Sequence, residues 1–211
     1  KVVVLEAEAM DEFEANLQNL QGDVWLSCTA PLKHSPQARL RVSGPEGVNA
    51  INQLRRLNGE WSGTSTDGVG FVAACRHIGV EPNGSTLRMR GGGSAARAIA
   101  AAWAAEGGST IAVEGRRPLV SGPWDSAIIG DGEADLAIDL DAAAGGGEST
   151  SLSAKQQVSI SYGKGATAAE FAVIMVAAQH LAAGERLSAP RPPHQPPRLG
   201  GPLYPLSHAP L

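Results

Sequence analysis

The order of apolar and polar positions divides the chain into short strands and amphipathic helices. Residues 1–5 (KVVVL) are a β-branched run. Residues 9–20 carry apolar side chains at helical spacing, namely Met10, Phe13, Leu17 and Leu20. Residues 24–29 read as a strand that Ala30-Pro31 ends, and two short segments, 39–42 and 49–57, flank the turn residues Ser43-Gly44-Pro45. Thr66 precedes a predicted helix over 67–77. Residues 85–90 alternate as a strand does, Gly91-Gly92-Gly93 follow, an alanine-rich helix covers 95–106, and a strand covers 109–114. Strand, glycine turn, helix and strand in succession make a βαβ unit, which requires a parallel sheet. Farther on come an apolar run at 135–140, a strand ending at Tyr162 and a helix over 167–183. Past Gly184 the composition changes. Seven prolines lie between Pro190 and Pro205, predicting a linker or extended arm over 184–206.

Composition narrows the class. A length of 211 residues accommodates one large domain or two small ones. With 26 glycines and only 4% aromatic residues, the composition points to a core of small aliphatic side chains, as in tightly wound α/β proteins. The formal net charge is −4 and no basic block occurs, which argues against a nucleic-acid partner. The longest apolar runs, 98–105 and 171–178, are too short to cross a bilayer, and no basic-then-apolar leader opens the sequence. A cytoplasmic location with no membrane partner is the expectation. Cys28 and Cys75 lack CxxC spacing, and His34, His77, His180, His194 and His208 lack ligand spacing. Two reduced thiols and no metal are therefore expected.

The glycine cluster carries the first chemistry. A Gly-rich turn between strand and helix lets the backbone approach a pyrophosphate, and the helix N-terminus directs free N–H groups at that anion. At the end of the next strand stand Glu114, Arg116 and Arg117. A carboxylate there suits the ribose diol of NAD, whereas arginines suit the 2′-phosphate of NADP. Two arginines against one glutamate favour NADP and leave NAD possible.

Four segments, taken together and in order, resemble the shikimate/quinate dehydrogenase family. LRMRGGGSAARA (87–98) looks like that family's strand and GAGGAARA turn, and NGEWSGTSTDGVGF (58–71) resembles its G-x-N-T-D-G-x-G-F stretch. SCTAPLKH (27–34) is similar to N-V-T-x-P-x-K, and GVNAI (47–51) to A-V-N-T-I. Weaker echoes surround Tyr162 and the pair Met175 and Gln179. The resemblance implies an α/β fold of two domains. Residues 71–164 would form a Rossmann-type NAD(P)-binding domain, and residues 1–70 with 165–211 a substrate domain, with the site in the cleft between them.

The implied activity is hydride transfer between NADP(H) and 3-dehydroshikimate/shikimate or quinate, a step of aromatic amino acid biosynthesis. Lys33 and Asp67 would be the catalytic pair, since a lysine in a closed cleft can serve as acid/base while a carboxylate orients it. Thr29, Asn49, Tyr162 and Gln179 would hold the small-molecule ring hydroxy acid. Gly91, Gly93, Ser94, Ala95, Arg116 and Arg117 would hold the cofactor. A monomer or a homodimer is compatible with this reading.

The sequence also departs from the family. Asp139-Leu140-Asp141-Ala142-Ala143 stands where the family carries N-A-T-P-x-G, and Ser27 and Ser65 replace asparagines. Residues 201–211 look like a degraded copy of the family's opening serine motif. Ser207 would then bind substrate through a circular permutation, the alternative being an unstructured proline-rich tail. A non-catalytic descendant that binds a nucleotide or small acid, or acts as an interaction module, is the reading of a different class.

Overall fold

A computed structural model describes residues 4–29, 31–143, 151–160 and 170–188. The helices are α1 (Met10–Gln18), α2 (Pro36–Arg39), α3 (Asp67–His77), α4 (Ser94–Ala105), α5 (Leu140–Ala143) and α6 (Glu170–Ser188). The strands are β1 (Val24–Ser27), β2 (Gln53–Leu57), β3 (Glu60–Thr64), β4 (Thr86–Arg90), β5 (Ser109–Val113), β6 (Leu136–Asp139) and β7 (Gln156–Val158). Two sheets result. β1, β2 and β3 form an antiparallel meander, and β4–β7 form a parallel sheet in the order β5-β4-β6-β7.

The βαβ unit expected around the glycine cluster is present as β4, α4 and β5, with Thr86 in register with Ser109. The strand β3 is the element that hydrophobic alternation does not reveal, because EWSGT has no period-two pattern. Its origin is the Asn58-Gly59 turn. Both residues have positive φ, 51° and 82°, which suits a two-residue hairpin loop closed by the pair Leu57 and Glu60. At the other end of the chain, α6 continues past Gly184 to Ser188, so helix rather than arm occupies 184–188. The rest of the proline-rich segment lies outside the described residues.

Two apolar clusters hold the sheets. In the smaller one, Met10, Phe13 and Leu17 of α1 pack with Cys28, Val42, Ile51 and Leu54. In the larger one, Leu87, Met89, Leu136 and Ile138 of the parallel sheet meet Phe71, Ile99, Trp103, Phe171 and Met175 from three helices. Phe71 lies edge-to-face against Trp103 at 6.0 Å and against Phe171 at 5.6 Å between ring centroids.

Helix α3 is the shared element. It packs on both α4 and α6, so a boundary drawn at 70–71 falls inside a continuous helix. Two glycines make this possible. A Cβ at Gly68 would overlap the Ala98 carbonyl of α4, and one at Gly70 would come 2.5 Å from Met175 O and Gln179 Cγ of α6. Each interior glycine costs about 1 kcal/mol of helix propensity relative to alanine. Close approach of three helices offsets that cost.

Two predictions follow from this packing. Gly68→Ala, which propensity alone would make stabilising, is expected to lower stability by about 1–3 kcal/mol through overpacking, as read by urea unfolding. The second concerns pH. Burial pushes the Cys28 thiol up to about 11, against a smaller opposing pull from Lys33, and the Cys75 thiol up to about 12, against a smaller pull from Arg76. An unfolded thiol ionises near 9.0, so the folded state retains the protons longer and stability falls as pH rises from 9.0 through those values. Urea midpoints measured across that window should drop in the wild type and drop less in Cys75→Ala. Equal slopes would contradict the burial argument.

Candidate active site

The polar centre of the molecule is assembled by the backbone of Asn52. Its N–H donates to Thr64 O at 3.3 Å, and its carbonyl accepts from Cys28 N–H at 2.7 Å. Its side-chain Oδ1 accepts from Thr66 N–H at 2.7 Å, and its Nδ2 donates to Thr66 Oγ1 at 3.0 Å. One buried residue thus ties the end of β1, the end of β3 and the start of α3 together. Thr66 does not cap α3 with its side chain, because that hydroxyl is engaged by Asn52.

Asp67 opens α3 with its side chain 3% exposed. Across from it, a 3-10 turn over Leu32–His34 carries Lys33, whose carbonyl accepts from Ile51 N–H at 2.7 Å. Lys33 Nζ donates to Asp67 Oδ2 at 2.7 Å. Removing either member of so enclosed a pair leaves an uncompensated charge, at a cost of about 3–5 kcal/mol.

The pair lines a cleft of about 420 Å³. Thr29 and Gln179 line it too, as does Ala95 from the first turn of α4. The sequence-predicted residues Lys33, Asp67, Thr29, Gln179 and Ala95 therefore converge on one cavity. Asn49 does not. It is exposed, has a φ of 48°, and offers its carbonyl to Arg97 Nη2 at 2.9 Å. Asn52, three residues on, lines the cleft in its place. Reading the motif as AINQL over 50–54, three residues later, marks Asn52 instead. Gln53 and His180 also line the cleft, unmarked by any motif. Gln53 Oε1 accepts from Trp25 Nε1 at 2.9 Å and from Ser27 Oγ at 3.2 Å. Ile160, Ala172, Val173, Met175 and Val176 supply apolar wall. Tyr162 and Ser207 lie outside the described residues.

On the cofactor side, Gly91 has a φ of 109°, a conformation that side-chain-bearing residues rarely adopt. A Cβ at Gly93 would face open space. Arg97 N–H closes the first helical turn onto Gly93 O at 3.0 Å, leaving the N–H groups of Ser94, Ala95 and Ala96 without intrahelical acceptors. A Cβ at Gly92 would overlap Pro118 O, so it is at Gly93, under the helix N-terminus, that the turn is open and fits a dinucleotide pyrophosphate. Arg97 braces this turn. Its guanidinium donates to Val48 O at 2.8 Å, Asn49 O at 2.9 Å and Gly92 O at 3.2 Å. Burial first, and then the charge of Arg117, lowers its pKa from the usual value. Arg116 and Arg117 are both exposed, and Arg116 N–H donates to Asp141 Oδ2. The acidic segment after β6 is neutralised locally, since buried Asp139 pairs with Arg90 at 3.3 Å.

No helix among the described residues is long and apolar enough to cross a membrane. No family model matches the chain. A shikimate dehydrogenase (NADP(+)) of Rubrobacter xylanophilus is 38% identical over 78 residues, which cover 37% of this chain and 26% of that protein. One from Xanthomonas campestris pv. campestris is 36% identical over 121 residues, covering 52% and 41% respectively. One from Bordetella petrii is 32% identical over 117 residues, covering 51% and 39%. The chain thus spans less than half the length of these relatives. Among solved structures, a shikimate dehydrogenase from Aquifex aeolicus superposes with a TM-score of 0.61 at 17% identity, covering 85% of this chain and 76% of that one. A shikimate 5-dehydrogenase from Thermus thermophilus, in complex with NADP(H) and shikimate, gives 0.58 at 20% identity, covering 77% and 72%. The solved structures share the fold of this chain, and the curated relatives, all shikimate dehydrogenases, match 32–38% of its residues over the part they cover.

Proposed function

We propose that the chain is an NADP(H)-dependent oxidoreductase acting on shikimate/3-dehydroshikimate or quinate. The carrying observation is the Lys33–Asp67 pair, 2.7 Å apart, in the same cleft as Ala95 at the head of the glycine-turn helix. That arrangement supports a proton-transfer role for Lys33 in a cleft that would also take a dinucleotide. A cavity of about 420 Å³ lies within the usual range for small-molecule sites.

A bound nicotinamide dinucleotide supplies the hydride donor or acceptor, and the chain's own residues do the remaining work. In ketone reduction the Lys33 ammonium gives a proton to the carbonyl oxygen, leaving an alcohol and a neutral amine. Oxidation runs the same transfer in reverse. Asp67 holds Lys33 in line through its hydrogen bond, and its charge balances the ammonium in a cleft that excludes much of the solvent. Thr29 and Gln179 bring hydroxyl and amide groups to the ring hydroxyls. Asn52 keeps one amide hydrogen beyond the one given to Thr66. Met175 and Ile160 cover the apolar faces of the ring.

The test is reduction of NADP⁺ by shikimate and then by quinate, followed through the absorbance of the reduced nicotinamide. Turnover in the wild type that falls about 10²–10⁴-fold in Lys33→Ala, with the fold retained, is the expected result. Folded wild type without turnover on either acid would overturn the reading and favour a non-catalytic binding role.

A further inference from the structure

The segment after β6 returns across the carboxyl end of the parallel sheet and places Asp141 where β4 and β5 both terminate. Asp141 Oδ2 accepts from Arg116 N–H at 2.5 Å, and Asp141 Oδ1 stands 3.8 Å from Arg116 Nε. The same guanidinium donates through Nη2 to Asp141 O at 3.1 Å. Two glycines leave room for the carboxylate. A Cβ at Gly115 would overlap Oδ2, and one at Gly91 would lie 3.1 Å from Oδ1. The Asp141 N–H is anchored on Asp139 Oδ1 at 3.0 Å, and the Asp141 side chain is only 13% exposed. Asp141 is therefore a fixed group, seated by contacts from three strand ends.

In an open parallel sheet with a glycine turn after its first strand, the end of the second strand meets the adenosine ribose. A carboxylate there accepts from the 2′-hydroxyl, and an arginine there holds a 2′-phosphate. Here the arginine that follows β5 already has an anion. Arg116 donates to Asp141 from its backbone N–H and through Nη2, with the carboxylate 3.8 Å from Nε, although its side chain is 68% exposed, and Arg117 stands exposed beside it.

We propose that Asp141 is the cofactor-specificity residue of this site, competing with the 2′-phosphate for Arg116 and so narrowing the preference for NADP over NAD. The inference rests on the dinucleotide reading above. It adds that a residue distant in sequence from the arginines, and on the opposite side of β4, sets their charge. An unphosphorylated ribose meets no such conflict, because its 2′-hydroxyl can donate to the carboxylate.

The experiment is calorimetric titration of the full chain with NADP⁺ and with NAD⁺, for the wild type, Asp141→Asn, Arg116→Ala and the double variant. Asparagine keeps an acceptor for Arg116 N–H and removes the charge. Asp141→Asn is expected to tighten NADP⁺ about tenfold and to change NAD⁺ by less than about twofold, with the gain lost in the double variant. Arg116→Ala alone should weaken NADP⁺ little, since that charge is already engaged. This single variant decides the matter even if Asp141→Asn fails to fold, because a large loss of NADP⁺ affinity in it overturns the proposal. So does a ratio of the two affinities that Asp141→Asn leaves unchanged. A wild type and Asp141→Asn that both bind neither dinucleotide would overturn the dinucleotide reading itself, a result distinct from binding without a change in preference.

Discussion

Four hydrogen bonds through Asn52 hold together the place where the two halves of the cleft meet. Its backbone extends the ladders that β2 makes with β1 and β3, and its amide fixes Thr66, the residue before Asp67. The direction in which Asp67 leaves α3 is thereby set before any contact with Lys33 is made. Each of these bonds is ordinary in strength, about 1 kcal/mol net. Their importance lies in burial. A lost partner would leave a desolvated amide or hydroxyl unsatisfied, so the arrangement is held as a unit rather than contact by contact.

From that fixed point α3 carries position outward in two directions. Through Gly68 it lies directly on α4, the helix whose N-terminus faces the cofactor side, and through Gly70 it lies on α6, which brings Met175 and Gln179 to the cleft. The short stretch from Thr66 to Phe71 thus specifies hydrogen bonding, acid placement, two helix–helix approaches and an aromatic core contact. Acid and glycines in such a stretch form one requirement, since a displaced helix would carry Asp67 away from Lys33.

Much of this was legible in the sequence, and the gaps have identifiable causes. The parallel unit from β4 to β5 is a local matter of alternation, glycine and alanine content, and it reads directly. Lys33 and Asp67 stand in motifs whose spacing is fixed by a turn and a helix start, and the fold brings them together. Asn49 and Asn52 each follow an aliphatic residue, three positions apart, and linear spacing cannot say which enters a strand ladder and lines the cleft. Backbone conformation separates them. Asn49 sits at positive φ in a loop, while Asn52 extends directly into β2. The strand β3 lacked alternation, although the Asn58-Gly59 turn announced it. Asp141 could be flagged as an acid near the cofactor, but its capture of Arg116 joins residues 25 apart in sequence and belongs to tertiary structure alone.

Arg97 bears on how the cleft can move. Its guanidinium staples the loop at Val48 and Asn49 to the head of α4 through two charged hydrogen bonds, worth together about 3–6 kcal/mol. Breathing that parted those two walls would have to break both, so such a state would be sparsely populated. The corner at Arg97 is therefore tied across the cleft, while the opposite margin is formed by α6. There Val173, Val176 and His180 of α6 border the cavity and are exposed among the described residues, so that margin carries no such staple.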